Sequence, residues 1–135
     1  MNAAAIPEIS IEAFESGTVN PEAFDHEAHI YVAWLYLQEF PVLQAGQRYA
    51  DSLRRLTRQL GIPGKYHETI TWFFMFLIDE RQRLGSGNDW FSFRRNNEDL
   101  FARGEQNILS RYYRRETLAS DSARQAFVLP DRLAS

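Results

Sequence analysis

Two short polar stretches, residues 24–29 (FDHEAH) and 66–71 (YHETIT), contain every histidine of the chain. His26 and His29 are three residues apart, so on a helix they share one face with Cβ atoms about 5–6 Å apart, close enough to bind one ion. A third imidazole, from His67, would complete a three-histidine set with one open position. That is the ligand arrangement of a catalytic zinc site.

Glu68 follows His67 directly and leaves several roles open. It lies about 100° further round a helix than its neighbour, so the two side chains need not face the same ion. Glu68 could be a metal ligand, could orient a ligand, or could act as a general base near bound water. If it replaced one imidazole, the set would resemble the two-histidine, one-carboxylate site of non-haem iron proteins.

These stretches support three hypotheses, and the first is a small metal-dependent enzyme that acts on a small organic molecule. Its cofactor would be a divalent metal, zinc or iron, and its chemistry that of a hydrolase, a lyase or a non-haem iron oxidoreductase. The residues concerned are His26, His29 and His67 as metal ligands, His67 and Glu68 as catalytic groups, and Tyr66 and Thr71 as substrate contacts.

The second hypothesis is a metal-independent enzyme with His67 and Glu68 as an acid/base pair. The third is a non-catalytic binding or interaction module whose histidines are structural. In that case they would be hydrogen-bonded to neighbouring groups, as buried polar side chains usually are.

The helices that carry the two stretches follow from apolar periodicity and helix-end signals, which predict helices over 26–39, 44–60 and 66–84. Asp25 is a suitable N-cap for the first helix, and Pro41 ends it. Short connections make successive helices antiparallel neighbours. The first two helices are about 21 and 25 Å long at 1.5 Å per residue, so the chain returns to its starting level. The three histidines are therefore predicted to meet at one end of the bundle.

The remaining chain is also predicted to be helical. Further helices are expected at residues 11–16 with Ser10 as N-cap, at 90–103, at 105–117 and after Ser120. We predict an all-α fold, a compact bundle of about five to six helices. Residues 1–10 are expected to form a flexible N-terminus, and residues 11–135 a single helical domain.

Composition excludes several classes of chemistry. The chain has 135 residues and no cysteine, which excludes disulfides, thiolate catalysis and cysteine-based metal sites. The longest apolar run, residues 72–78, is far too short to cross a bilayer. Residues 1–6 lack the charged and apolar regions of a signal peptide. We therefore expect a cytoplasmic protein that does not contact membranes.

Charge is distributed unevenly along the chain. Residues 1–47 contain seven acidic residues and neither lysine nor arginine, whereas the rest contains 15 basic and 11 acidic residues. Fourteen of the 15 basic residues are arginine. We predict that the acidic first third packs on the basic remainder, and we expect no nucleic-acid partner because the arginines are scattered. The expected partner is a small-molecule substrate, and a homodimer is possible.

The two histidine stretches also carry a resemblance. The pattern F-x-H-x-x-H, followed by A-W-x-Y-L and then by Y-H-E-T-I-T, resembles a small family of bacterial hypothetical proteins. The resemblance extends through Tyr112-Tyr113 and Ala123-Arg124 to Pro130-Asp131, and so covers most of the chain from about Phe14 onward. It implies no substrate or mechanism, but it implies that the two stretches belong to one site.

Overall fold

The computed structural model describes residues 9–85 and 89–132, and all regular structure in these ranges is helical. The α-helices are α1 (Ile11–Ser16), α2 (His26–Glu39), α3 (Val42–Gln59), α4 (Glu68–Leu84), α5 (Trp90–Asn96), α6 (Leu109–Tyr112), α7 (Arg115–Ala119) and α8 (Asp121–Gln125). Short 3₁₀ turns lie at Pro21–Ala23, Pro63–Lys65, Glu98–Phe101 and Gly104–Gln106. The predicted all-α bundle is confirmed, and no helix in these ranges has both the length and the apolarity needed to cross a membrane. Most of the predicted flexible N-terminus, residues 1–8, lies outside the described residues.

The centre of the fold is a group of three mutually packed helices, α2, α3 and α4. The predicted N-cap of α2 is confirmed, because the Asp25 carboxylate accepts a hydrogen bond of 2.9 Å from the Ala28 amide. Helix α3 begins two residues earlier than predicted, directly after Pro41, whose backbone is extended. Helix α4 begins two residues later than predicted, because His67 is its N-cap and lies outside it.

Helices α3 and α4 approach closely at Gly46. A Cβ atom at this position would collide with the indole ring of Trp72. The absence of a side chain therefore lets the aromatic ring lie against the α3 backbone, which sets the spacing between the two helices.

The acidic first third does pack on the basic remainder, as the charge distribution predicted. The carboxylate of Glu15 on α1 accepts two hydrogen bonds from Arg48 on α3, at 2.9 and 3.0 Å, and one from the Tyr36 hydroxyl at 2.9 Å. The Arg48 guanidinium holds the pKa of Glu15 below its usual value. A second pair joins Glu27 to Arg94 at 3.4 Å.

The helix predicted after Ser120 is confirmed as α8, with Ser120 as its N-cap, but the helices predicted at 90–103 and 105–117 are each divided into shorter pieces, and an asparagine side chain interrupts each of them. The Asn97 amide donates to the Phe93 carbonyl at 2.9 Å and ends α5. The Asn107 side chain donates to the Ala102 carbonyl and accepts from the Leu109 amide. Asparagine competes in this way with the helical backbone for hydrogen bonds. The predictions of continuous helices at 90–103 and 105–117 were therefore wrong.

The start of α4 is tied to the chain's last helices by a group of hydrogen bonds that we call the C-terminal joint. It consists of His67 and Thr69 with the backbone groups they bind in residues 118–128. The fully buried Thr69 hydroxyl donates to the carbonyls of Ala123 and Ala126, at 2.7 and 2.9 Å, and accepts from the Val128 amide at 3.0 Å. The joint anchors the C-terminal segment on the bundle.

Candidate functional site

A cavity of about 440 Å³ lies between the first turns of α2 and α4 and the second half of α3. Most of its wall is apolar, and the side chains that form the apolar wall include Leu53, Leu56, Ile70, Phe74 and Ile78. Its volume falls within the range of about 300–1,000 Å³ that is typical of small-molecule sites. All three histidines line this one cavity, so the structure brings together the groups that the helix lengths place at one end.

His67 uses both ring nitrogens to hold the protein together. Its Nδ1 accepts a hydrogen bond of 3.2 Å from the Ile70 amide, which caps α4, and its Nε2 donates to the Leu118 carbonyl at 2.7 Å. A nitrogen that accepts from an amide carries no proton, so this ring is in the neutral form with the hydrogen on Nε2. Neither nitrogen of His67 is available to a ligand while these bonds persist.

His29 has one ring nitrogen available. Its Nδ1 donates to the Asp25 carbonyl at 2.9 Å, so in the neutral ring Nε2 carries a lone pair, and this atom binds no described residue. The ring packs against Phe24 with centroids 4.0 Å apart. Burial lowers the pKa of His29 below its ordinary value of 6.5, and the nearby His26 lowers it further, although Asp25 acts in the opposite direction. His29 therefore offers the cavity a neutral hydrogen-bond acceptor at pH 7.

His26, like His29, has one ring nitrogen that is not bonded to the described protein. Its Nε2 donates to the Leu100 carbonyl at 2.9 Å, which leaves Nδ1 without a partner among the described residues. The ring lies edge-on to Phe74 in the cavity wall, with centroids 5.6 Å apart. His26 and His29 thus donate through opposite ring nitrogens, and each retains one nitrogen that is not bonded to the described protein.

Glu68 does not line the cavity. One of its oxygens accepts a hydrogen bond of 2.7 Å from Arg54 and another of 2.5 Å from the Tyr66 hydroxyl, while Arg54 also lies over the Tyr66 ring at 4.7 Å. Burial and the Glu68 carboxylate raise the pKa of Tyr66 above its ordinary value. The geometry gives Glu68 the role of an ion-pair partner that fixes Tyr66 and the start of α4.

The two residues predicted as substrate contacts line the cavity, whereas a metal-binding group is not found among the described residues. Tyr66 and Thr71 both line the cavity, in the positions where the sequence places substrate contacts. Within residues 9–85 and 89–132, however, no three histidine or acidic side chains are arranged to hold one metal ion. The three-histidine metal centre stays a prediction, and His67 would have to give up a bond to take part in it.

The mouth of the cavity combines exposed apolar side chains with one cation. Leu60 and Ile62 are 41% and 43% exposed, and the exposed Lys65 follows them in the 3₁₀ turn Pro63–Lys65. Lys65 is the only lysine of the chain. No carboxylate of the described residues forms an ion pair with it, whereas the seven ion pairs found there all use arginine.

Two features of this site were not predicted from the sequence. Leu53 and Leu56 follow a regular helical spacing that is also typical of core residues, so the pattern does not show that they line a cavity. Lys65 is the single lysine among fourteen arginines, but composition alone does not place it beside the cavity.

Comparison of the chain with protein-family models, with curated proteins and with solved structures gives no match.

Proposed function

We propose that the protein binds a small, mainly apolar organic molecule in this cavity, and that His29 recognises one hydrogen-bond donor of that molecule. The observation that carries the proposal is a cavity of about 440 Å³ with an apolar wall, into which a neutral imidazole with an available nitrogen is built. Binding sites of this kind have an apolar lining with few convergent polar groups that orient the ligand.

Binding fits the geometry better than acid/base chemistry by His67 and Glu68. Each ring nitrogen of His67 is already hydrogen-bonded to the backbone, and the Glu68 carboxylate is paired with Arg54 outside the cavity. A general base has to reach the proton that it abstracts. Of the three histidines on the cavity wall, His26 and His29 meet this condition and His67 does not, since only the first two have a ring nitrogen that is not bonded to the described protein.

The first experiment tests whether the cavity binds an apolar molecule. Octan-1-ol is titrated into the wild-type protein and into Ile70→Trp, which adds bulk to the wall, with isothermal calorimetry as the readout. Leu43→Trp is the matched control, because Leu43 is 65% exposed and does not line the cavity. We expect binding to be lost only in Ile70→Trp. Equal binding by both variants, or no binding by the wild type, would contradict the proposal.

The second experiment tests the role of His29. Heptyl methyl ether is an isomer of octan-1-ol that has no O–H group to donate. We expect the wild type to bind the alcohol about two- to tenfold more tightly than the ether, the usual net effect of one hydrogen bond. His29→Leu should remove this preference and keep apolar binding. A preference that persists in His29→Leu would show that another group receives the hydroxyl.

A metal-dependent enzyme is the second candidate. It is favoured by the i, i+3 pair His26 and His29, because both rings line the cavity and each has a nitrogen not bonded to the described protein. Two imidazoles would hold zinc or iron only if a substrate, water or a rearranged His67 supplied further ligands.

The metal hypothesis is tested by titrating untagged protein with zinc, iron(II) and cobalt(II). Stoichiometric binding that disappears in His26→Ala would support it. If none of the three metals binds and octan-1-ol still does, the metal hypothesis is contradicted, and metal-independent binding of a small molecule remains as the proposed function.

A further inference from the structure

We infer that the ligand of the cavity is an amphipathic monoanion: an apolar body that carries the hydrogen-bond donor received by His29, with one carboxylate that Lys65 holds at the mouth. The inference rests on the proposed binding function and deepens it by naming the class of ligand. The observations that carry it are the placement of the chain's single lysine at the mouth and the apolar character of the rim around it.

The side chains at the mouth (Leu60, Ile62 and Lys65) suit a ligand whose part in the cavity is apolar and whose part in water is polar. Leu60 and Ile62 are more than 40% exposed and both line the cavity, and exposed apolar side chains that border a groove are typical of ligand-binding sites. A ligand whose body continues from the cavity across the rim would cover both side chains. Its charged group would then lie in water beside the ammonium of Lys65, since burying a charge is far more costly than leaving it at a surface.

The local charge favours an anion over a cation. Arg124 donates to the Gly64 carbonyl at 2.9 Å, which brings a second positive charge to the turn that carries Lys65. The Glu68 carboxylate at the start of α4 is paired with Arg54, which also pairs with Asp51, and it does not line the cavity. Pro21 also lines the cavity, and its neighbour Glu22 forms no ion pair with Lys65.

A single ammonium matches a singly charged group. Lys65 lines the cavity and provides one flexible point charge there, whereas Arg124 does not line it. A carboxylate on an alkyl or aryl body therefore fits the mouth, and the cavity takes the apolar part.

The test compares octanoate with octylammonium, which have the same chain length and opposite charge, with octan-1-ol as the neutral reference. Calorimetry is run on the wild type, Lys65→Met, Lys65→Glu and the control Arg103→Met, which removes an exposed charge that does not line the cavity. We expect the wild type to prefer octanoate and Lys65→Met to bind it about two- to fivefold more weakly, as for an exposed ion pair. Lys65→Glu should prefer octylammonium, and Arg103→Met should behave as the wild type.

The possible outcomes separate the inference from the proposed function. If octan-1-ol binds but Lys65→Met and Lys65→Glu leave the octanoate affinity unchanged, the inference is overturned and the binding function remains. If Arg103→Met weakens octanoate as much as Lys65→Met does, general surface charge explains the effect and the inference is again overturned. If neither octan-1-ol nor octanoate binds, both are overturned.

A second readout uses the single lysine directly. Reductive methylation with isotope-labelled formaldehyde marks Lys65 and the terminal amine, so one side-chain signal reports on the mouth. We expect octanoate to raise the pKa of the methylated Lys65 amine, because a bound carboxylate favours its charged form, and octan-1-ol to leave that pKa unchanged. An unchanged pKa at saturating octanoate would contradict the inference even if octanoate bound.

Discussion

His29 and His67 line the same cavity but belong to two regions of different character. In the C-terminal joint, both ring nitrogens of His67 and the hydroxyl of Thr69 are hydrogen-bonded to backbone groups of residue 70 and of residues 118–128. On the α2 side of the cavity, His29 is held through Nδ1 alone, and its other nitrogen faces no partner among the described residues. The same residue type thus serves the fold in one region and is available to a ligand in the other.

Convergence of histidines therefore does not by itself define a ligand site. A histidine whose two nitrogens both bind the protein stabilises structure, and removing it leaves backbone groups without partners. A histidine with an unbonded nitrogen on the wall of an apolar cavity keeps one acceptor for a ligand, and this is the role that we propose for His29. Substitution of matched residues in the two regions tests this contrast.

The largest expected effect comes from replacing the two histidines by leucine, one at a time. His67→Leu removes the cap of α4 and leaves the Leu118 carbonyl unpaired, so we expect it to lower the free energy of unfolding by about 2–4 kcal/mol. His29→Leu removes one bond to a carbonyl that still accepts from the His29 amide, and should cost less than about 1 kcal/mol. Urea unfolding of both variants measures the difference, and equal losses would contradict the contrast.

A smaller effect is expected for the two threonines of α4. Thr69→Val leaves the Ala123 and Ala126 carbonyls and the Val128 amide without their hydroxyl partner, and should cost about 1–3 kcal/mol. Thr71→Val changes a residue of the cavity wall and should cost less than about 1 kcal/mol. Thermal and urea unfolding would refute this prediction if Thr71→Val were the more destabilised variant.

The smallest effect is the pH dependence caused by His29. Its pKa is lower in the folded protein than in the unfolded chain, so between the two values the unfolded chain binds more protons. The free energy of unfolding should therefore decrease as the pH falls below about 6.5, the unfolded value, until the folded pKa is reached. Urea unfolding from pH 7.5 to 5 should show a shallower dependence in His29→Leu than in the wild type. An unchanged slope would contradict the depressed pKa.

The sequence allowed the main helices, their caps and the meeting of the three histidines to be predicted, because these depend on local patterns and helix length. Ser10 and Asp25 as N-caps are examples of such local signals. The roles of the histidines were not predictable in this way. The carbonyls that engage His26 and His67 belong to Leu100 and Leu118, which lie 74 and 51 residues further along the chain.

The interruptions after residue 90 show a second limit. Asn97 and Asn107 fit a helical pattern by composition, but their side chains bind backbone groups in competition with the helix. Whether that competition succeeds depends on tertiary contacts, such as the hydrogen bond of 2.9 Å from Arg81 to Asn97. Likewise, the apolar stripe of α3 does not reveal which of its leucines border a cavity.

The most direct test of the contrast between the two regions is nuclear magnetic resonance of the imidazole nitrogens, with and without octan-1-ol. We expect a proton on Nδ1 of His29 and on Nε2 of His67, so that the two rings are opposite tautomers. We also expect octan-1-ol to shift the Nε2 resonance of His29 and to leave both nitrogens of His67 unchanged. Identical tautomers, or a ligand response at His67 instead of His29, would contradict the account.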